Sequence, residues 1–200
     1  MKFKSKRSKV ARDFPDVQEF EHALCGSSPV HGDFSPHFNG AGSAVVVRAP
    51  ARLDVMGGIS DCCGSLVCEL PLGQAVILAL QKRKDRRVRV YSPCVAAEGG
   101  APSAEVLLDD LYERGKLKTC DRVAALFRRD PRTAWVAHVA GAFYALVREN
   151  CARAFDVGAD IVITSTIPSG TGLGASAAVE VAALHALNIK FGLKLDGHRL

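Results

Sequence analysis

Gly170, Gly172 and Gly174 stand at every second position of the run Pro168-Ser169-Gly170-Thr171-Gly172-Leu173-Gly174-Ala175-Ser176-Ala177-Ala178. A glycine-rich turn that opens a helix leaves backbone N–H groups without intrahelical partners, beside the positive end of the helix dipole. Glycines also let that backbone approach a ligand closely. The chemistry such a run supports is the binding of an anion, above all a phosphate. Two familiar phosphate loops are excluded. A Walker A loop needs Gly-Lys-Ser/Thr, and no lysine follows the glycines before Lys190. The dinucleotide fingerprint needs a strand before its acidic residue, and none separates Asp196 from the helix.

The elements around the loop are those that would position it. Gly158 to Ile167 alternates and is rich in Ile, Val and Thr, which predicts a strand. Ala177, Val181, Leu184, Leu187 and Phe191 recur at helical spacing and predict a helix with that face inward. Further strands are predicted at 44–48, 75–80, 88–92 and 104–108, with Lys82 to Arg87 as a solvated hairpin turn. Residues 26–43 and 95–103 read as loops. Asp130 to Arg148 reads as one helix, with Trp135, Val139, Phe143 and Leu146 on its core face. Strands before and after a central helix predict an α+β domain, with helices packed on a mixed sheet.

A chain of 200 residues with 48% hydrophobic content can bury a sizeable core. No long uncharged apolar run predicts a membrane span. The seven cysteines, at 25, 62, 63, 68, 94, 120 and 151, contain no Cys-x-x-Cys pair and read as reduced packing residues of a cytoplasmic protein. The net charge of +5 is concentrated in residues 1–12, whose six basic residues leave 20 basic against 21 acidic in the remainder. Residues 1–40 therefore read as a basic, disordered arm and leader, and 41–200 as the domain. No nucleic-acid partner is expected.

A second segment sharpens the loop's meaning. Residues 49–72 read Ala-Pro-Ala-Arg-Leu-Asp-Val-Met-Gly-Gly-Ile-Ser-Asp-Cys-Cys-Gly-Ser-Leu-Val-Cys-Glu-Leu-Pro-Leu. Together the two motifs resemble those of the GHMP small-molecule kinases, and Arg-Leu-Asp-Val-Met-Gly-Gly-Ile resembles the L-arabinokinase branch of their galactokinase-like members. The resemblance covers residues 40–200. It implies the GHMP amino-terminal domain with its left-handed βαβ crossover. It also implies an ATP- and magnesium-dependent 1-kinase acting on the anomeric hydroxyl of a monosaccharide. By resemblance, Arg52 stabilises the transferring phosphoryl group and Asp61 holds the sugar. Pro168, Gly170, Gly172, Leu173, Gly174, Ala175, Ser176 and Ala177 match the triphosphate loop, with the Ser176 hydroxyl beside magnesium. A helix cap is the plain structural reading of Ser176.

The departures carry information too. Gly58 and Ile59 stand where galactokinases carry Glu-His facing the hydroxymethyl end of galactose, and L-arabinose lacks that group. Their loss fits a pentose, because a buried polar group left without its partner costs about 1–3 kcal/mol. Ala51, Ala175 and Cys62 replace a glycine, a serine and a tyrosine of the family pattern. The resemblance places the catalytic aspartate and the carboxy-terminal domain beyond residue 200, so the chain reads as an incomplete kinase. Leu195 to Leu200 reads as the start of a further helix capped by Asp196. A catalytically inactive sugar- or ATP-binding regulatory module is the alternative.

Overall fold

The computed structural model describes residues 14–38 and 42–197, apart from the side chains of Ile59, Asp61 and Cys62. Helix α1 (Pro15–Leu24) opens with proline in its first turn, where the missing N–H costs nothing. The long strands β1 (Val45–Met56) and β2 (Cys68–Lys82) follow, then β3 (Arg87–Tyr91), the short helix α2 (Pro93–Ala97) and β4 (Ser103–Leu107). A small hairpin, β5 (Tyr112–Glu113) and β6 (Lys116–Leu117), precedes α3 (Cys120–Phe127) and α4 (Ala137–Arg148). Strand β7 (Ala159–Ser165) leads through the glycine run into α5 (Ala175–Phe191).

The five-stranded sheet has the order β1-β2-β7-β3-β4. Strand β7 is antiparallel to β2 and parallel to β3, which makes the sheet mixed. It is covered on both faces. Val47, Val76, Leu78, Leu80, Val88 and Ile161 face α4 and α5 in the main core. Ile77, Ala79 and Val162 face Val17, Phe20 and Leu24 of α1, joined by Phe34 and Phe38. Burial on both faces explains why 75–80 reads as a continuous apolar run rather than an alternation.

The α+β class and the mixed sheet with packed helices agree with the sequence reading, and several particulars are corrected. Residues 15–38, assigned to a disordered leader, fold against the sheet through α1 and Phe34, because their apolar spacing closes its second face. The basic residues of 1–12 lie outside the described residues. Lys82 to Arg87 is not a hairpin turn, since β7 is inserted between β2 and β3. Nor is it wholly solvated: Arg83 is 12% exposed and reaches the buried Asp160 at 2.7 Å. The helix expected over 130–148 starts at Ala137, after a short 3-10 turn containing Trp135. Trp135 is half-buried against the core, and its indole N–H donates to the Ala101 carbonyl at 2.9 Å. On α5 the buried face is Ala178, Ala182, Ala183, Ala186 and Leu187, while Val181 is exposed. Alanines let this helix approach closely, and a helix apolar all round has no single stripe for periodicity to detect. Asp196 precedes no described helix, and residues 198–200 lie outside the described residues.

Candidate phosphate-binding site

The glycine loop departs from β7 through a hydrogen-bonded turn. Thr166 donates its N–H to the Ala75 carbonyl at 3.0 Å. The Thr171 hydroxyl donates to the Pro168 carbonyl at 2.8 Å, and the Ser169 hydroxyl donates to Glu98 at 2.5 Å. Gly170, Gly172 and Gly174 have φ of 72°, 76° and 75°, whereas neither Thr171 nor Leu173 has a positive φ. Alternation of φ sign turns successive backbone N–H groups toward one side, making a concave anion nest. An L-residue in the left-handed region costs about 1–2 kcal/mol, which accounts for glycine at each alternate place.

Gly174 caps α5, and the Ala178 N–H closes the first helical turn on the Gly174 carbonyl at 2.9 Å. The N–H groups of Ala175, Ser176 and Ala177 therefore head a helix of 17 residues with no intrahelical acceptor. Ser176 lies inside the helix and is exposed, so the capping reading is corrected: the cap is a left-handed glycine without a side-chain bond. Pro168 and Gly170 are exposed at the loop's outer lip, and Leu173 and Ala175 are half-buried beneath it.

The structure brings Arg52 to this loop. Its N–H donates to the Leu173 carbonyl at 3.2 Å. A Cβ built on Gly174 would lie 3.4 Å from Arg52 Cγ and 3.6 Å from Nε. The β1–β2 ladder shifts register between Pro50 and Arg52. Such an irregularity re-aims side chains, and here it follows the buried Ala49 and Ala51 with an arginine laid against the loop. The Arg52 guanidinium is ion-paired with Glu69. Glu69 and Glu98, carboxylates that touch Arg52 and Ser169 among the described residues, escaped the sequence reading. The signal for Glu69 is a cross-strand register, which only the folded ladder supplies.

Gly58, Ile59 and Asp61 lie on a 3-10 turn over Gly58–Cys63, at the far end of the same ladder. Strand β1 runs four residues past Arg52, about 13 Å at roughly 3.3 Å each, before it ends at Met56 ahead of this turn. Gly58 is exposed, and the side chains of Ile59 and Asp61 lie outside the described residues. The arrangement thus places an anion nest and a guanidinium together, with a turn further along one hairpin. Among the described residues no group of three His, Cys, Asp or Glu side chains is placed to hold a metal ion. The cysteines at 25, 63, 68, 94, 120 and 151 are free thiols, and no described helix is long and apolar enough to cross a membrane.

A mixed sheet feeding a left-handed glycine loop at a helix start, with an arginine against it, gives an α+β domain whose loop has the donors that a phosphate-bearing ligand would need. Comparison with known proteins narrows the class. Residues 137–200 match the family described as GHMP kinases N terminal domain. An L-arabinokinase of Arabidopsis thaliana is 31% identical, the match covering 80% of this chain and 17% of that protein. A galactokinase of Streptomyces coelicolor is 32% identical over 80% of this chain and 36% of its own length. In structure, the Lactococcus lactis galactokinase crystallised with galactose superposes with a TM-score of 0.62 at 20% identity, covering 82% of this chain and 37% of that one. The Methanococcus jannaschii mevalonate kinase follows at 0.57 and 14% identity, over 78% of this chain and 43% of that one. The chain belongs to the GHMP kinases, and it spans well under half the length of these relatives.

Proposed function

We propose that this chain carries the nucleotide site and part of the sugar site of an ATP-dependent monosaccharide 1-kinase of the arabinokinase and galactokinase type. The observation that carries the reading is the meeting of Arg52 with the left-handed glycine loop, the groups that phosphoryl transfer needs held in place. Residues 168–177 would hold the phosphates of ATP through backbone N–H groups. These groups fit a polyphosphate, because the nest and the α5 start present donors and a positive dipole to the same region.

Magnesium, when bound, neutralises phosphate charge. Phosphate oxygens and water supply most of its ligands in such sites, and Ser176 is the hydroxyl at the loop that would join them. Arg52 would stabilise charge on the transferring group with its planar fork. Asp61 would accept hydrogen bonds from sugar hydroxyls. Gly58 and Ile59 would leave room without polar partners, which suits L-arabinose over galactose. The free thiols support a reducing, cytoplasmic setting.

The test is ADP production by the full-length protein with L-arabinose, galactose and no sugar. Sugar-dependent turnover, higher with arabinose and yielding the 1-phosphate, is expected. Equal turnover with galactose removes the pentose assignment, and nucleotide binding without any turnover on sugars removes the kinase assignment.

A further inference from the structure

The Arg52 head group is held from across the hairpin. In the β1–β2 register Arg52 lies opposite Pro71, and Asp54 lies opposite Glu69. Glu69 is therefore two residues back on the strand facing Arg52, a diagonal neighbour within reach of a long side chain. Its carboxylate pairs with the Arg52 guanidinium. The rest of the arginine is already fixed on the other side, by its N–H on Leu173 and its stem against Gly174. Main chain, stem and head are thus each tied, and the two outer ties lead to the glycine loop and to Glu69.

Stability does not explain the pair. The side chains are 43% and 32% exposed, and ion pairs at such exposure contribute little to folding. The charges around it are informative instead. Glu69 and Asp54 share one rung as like charges, an arrangement that is unfavourable in a ladder and that Arg52 offsets. Two carboxylates consequently share one rung of the hairpin, and Glu69 is paired with the arginine that lies against the glycine loop.

We propose that Glu69 is a positioning residue for Arg52, holding its guanidinium beside the phosphate loop at the cost of a negative charge close to the bound nucleotide. The proposal rests on the nucleotide-site reading above. A free arginine samples many rotamers, and one tied at its head presents the remaining N–H donors in a fixed direction, which matters when charge develops on a transferring group. The same carboxylate repels a polyphosphate in the ground state. Removing it therefore moves binding and turnover in opposite directions, which a residue that merely supports the hairpin does not do.

The experiment uses the full-length protein and compares Glu69→Gln, which keeps size and an acceptor oxygen, with Glu69→Asp, which keeps the charge. Thermal melts establish that both fold. For Glu69→Gln the dissociation constant of a non-hydrolysable ATP analogue is expected to fall about threefold, while kcat falls about tenfold. Glu69→Asp should leave the dissociation constant near wild type. In an Arg52→Lys background, which lacks the fork, Glu69→Gln should leave kcat within about twofold of its parent. Parallel weakening of binding and turnover, no change in either, or the same loss of kcat in both backgrounds overturns the role of Glu69. Should Arg52→Lys itself leave binding and turnover untouched, the nucleotide-site reading falls instead.

Discussion

Replacing the loop glycines one at a time measures what their left-handed backbone contributes to the site. A Cβ at Gly172 would meet nothing within 4 Å, so the effect of Gly172→Ala comes from its φ of 76° alone. Holding alanine there costs about 1–2 kcal/mol. Because the position is exposed, the loop can also relieve the strain by rotating that φ, which turns an N–H out of the nest. Restoring the nest on binding then costs the complex up to about 1–2 kcal/mol, roughly a fivefold to thirtyfold loss of affinity, whereas strain held in free and bound loop alike lowers stability only. Gly174→Ala carries the same strain at φ 75°, and its methyl would lie 3.4 Å from Arg52 Cγ, an ordinary van der Waals contact that leaves the arginine in place. Its affinity loss should therefore match that of Gly172→Ala within about threefold. Gly172→Asn should lie between glycine and alanine, since asparagine tolerates the left-handed region. Calorimetry of a non-hydrolysable ATP analogue, with melting temperatures alongside, measures all three. Wild-type affinity in Gly172→Ala, or a loss at 174 about tenfold larger than at 172, would refute the reasoning.

Three further outcomes are expected. Gly158→Ala should destabilise the fold by about 1–3 kcal/mol in denaturant titrations, because its Cβ would fall 1.8 Å from the Arg87 carbonyl oxygen, a backbone atom, and force overpacking. Asp160 is 1% exposed and accepts from Arg83 at 2.7 Å and Arg89 at 2.8 Å; Asp160→Ala removes both charge-assisted bonds, while Arg83 keeps Asp85 and Arg89 keeps water, and should cost about 1–3 kcal/mol by the same assay. Burial, with the Arg89 charge adding to it, holds His37 below the usual histidine range where it stacks on Tyr91 at 3.7 Å. The unfolded chain thus takes up that proton first, and the contribution of a neutral His37 is intact above about pH 6.5 and lost on acidification below it. His37→Asn should flatten the fall in melting temperature between about pH 7 and pH 5, and an unchanged slope would show that other groups dominate.

The glycine loop was legible in the sequence because each of its glycines answers a local demand, a left-handed φ, that no other residue meets cheaply. Strand β7 and helix α5 were legible by pattern, although the helix face was not, since alanine carries too little contrast to mark which side is buried. The length of β1 and β2 was not legible: the predicted strands end at 48 and begin at 75, whereas β1 runs on to Met56 through Pro50 and β2 starts at Cys68 and contains Pro71. In the fold β1 is an edge strand, and β2 before Val76 pairs only with β1, so both prolines occupy places where a missing N–H is tolerated. The insertion of β7 between β2 and β3 is a pairing across some 70 residues, beyond any local signal. Arg52 was named through the resemblance, whereas its tie to Glu69 follows from ladder register. Helix α1 was obscured by the basic residues before it, whose composition dominated the reading of that whole segment.

The central claim is that the backbone N–H groups from Gly170 to Ala177 receive the phosphates of a nucleotide with Arg52 beside them. Amide chemical-shift mapping of the 15N-labelled protein, titrated with a non-hydrolysable ATP analogue, tests it most directly. The largest shifts are expected at Gly172, Leu173, Gly174, Ala175 and Ser176 and at the Arg52 side-chain Nε–H. Saturable shifts centred on other residues, with this loop unmoved, would contradict it.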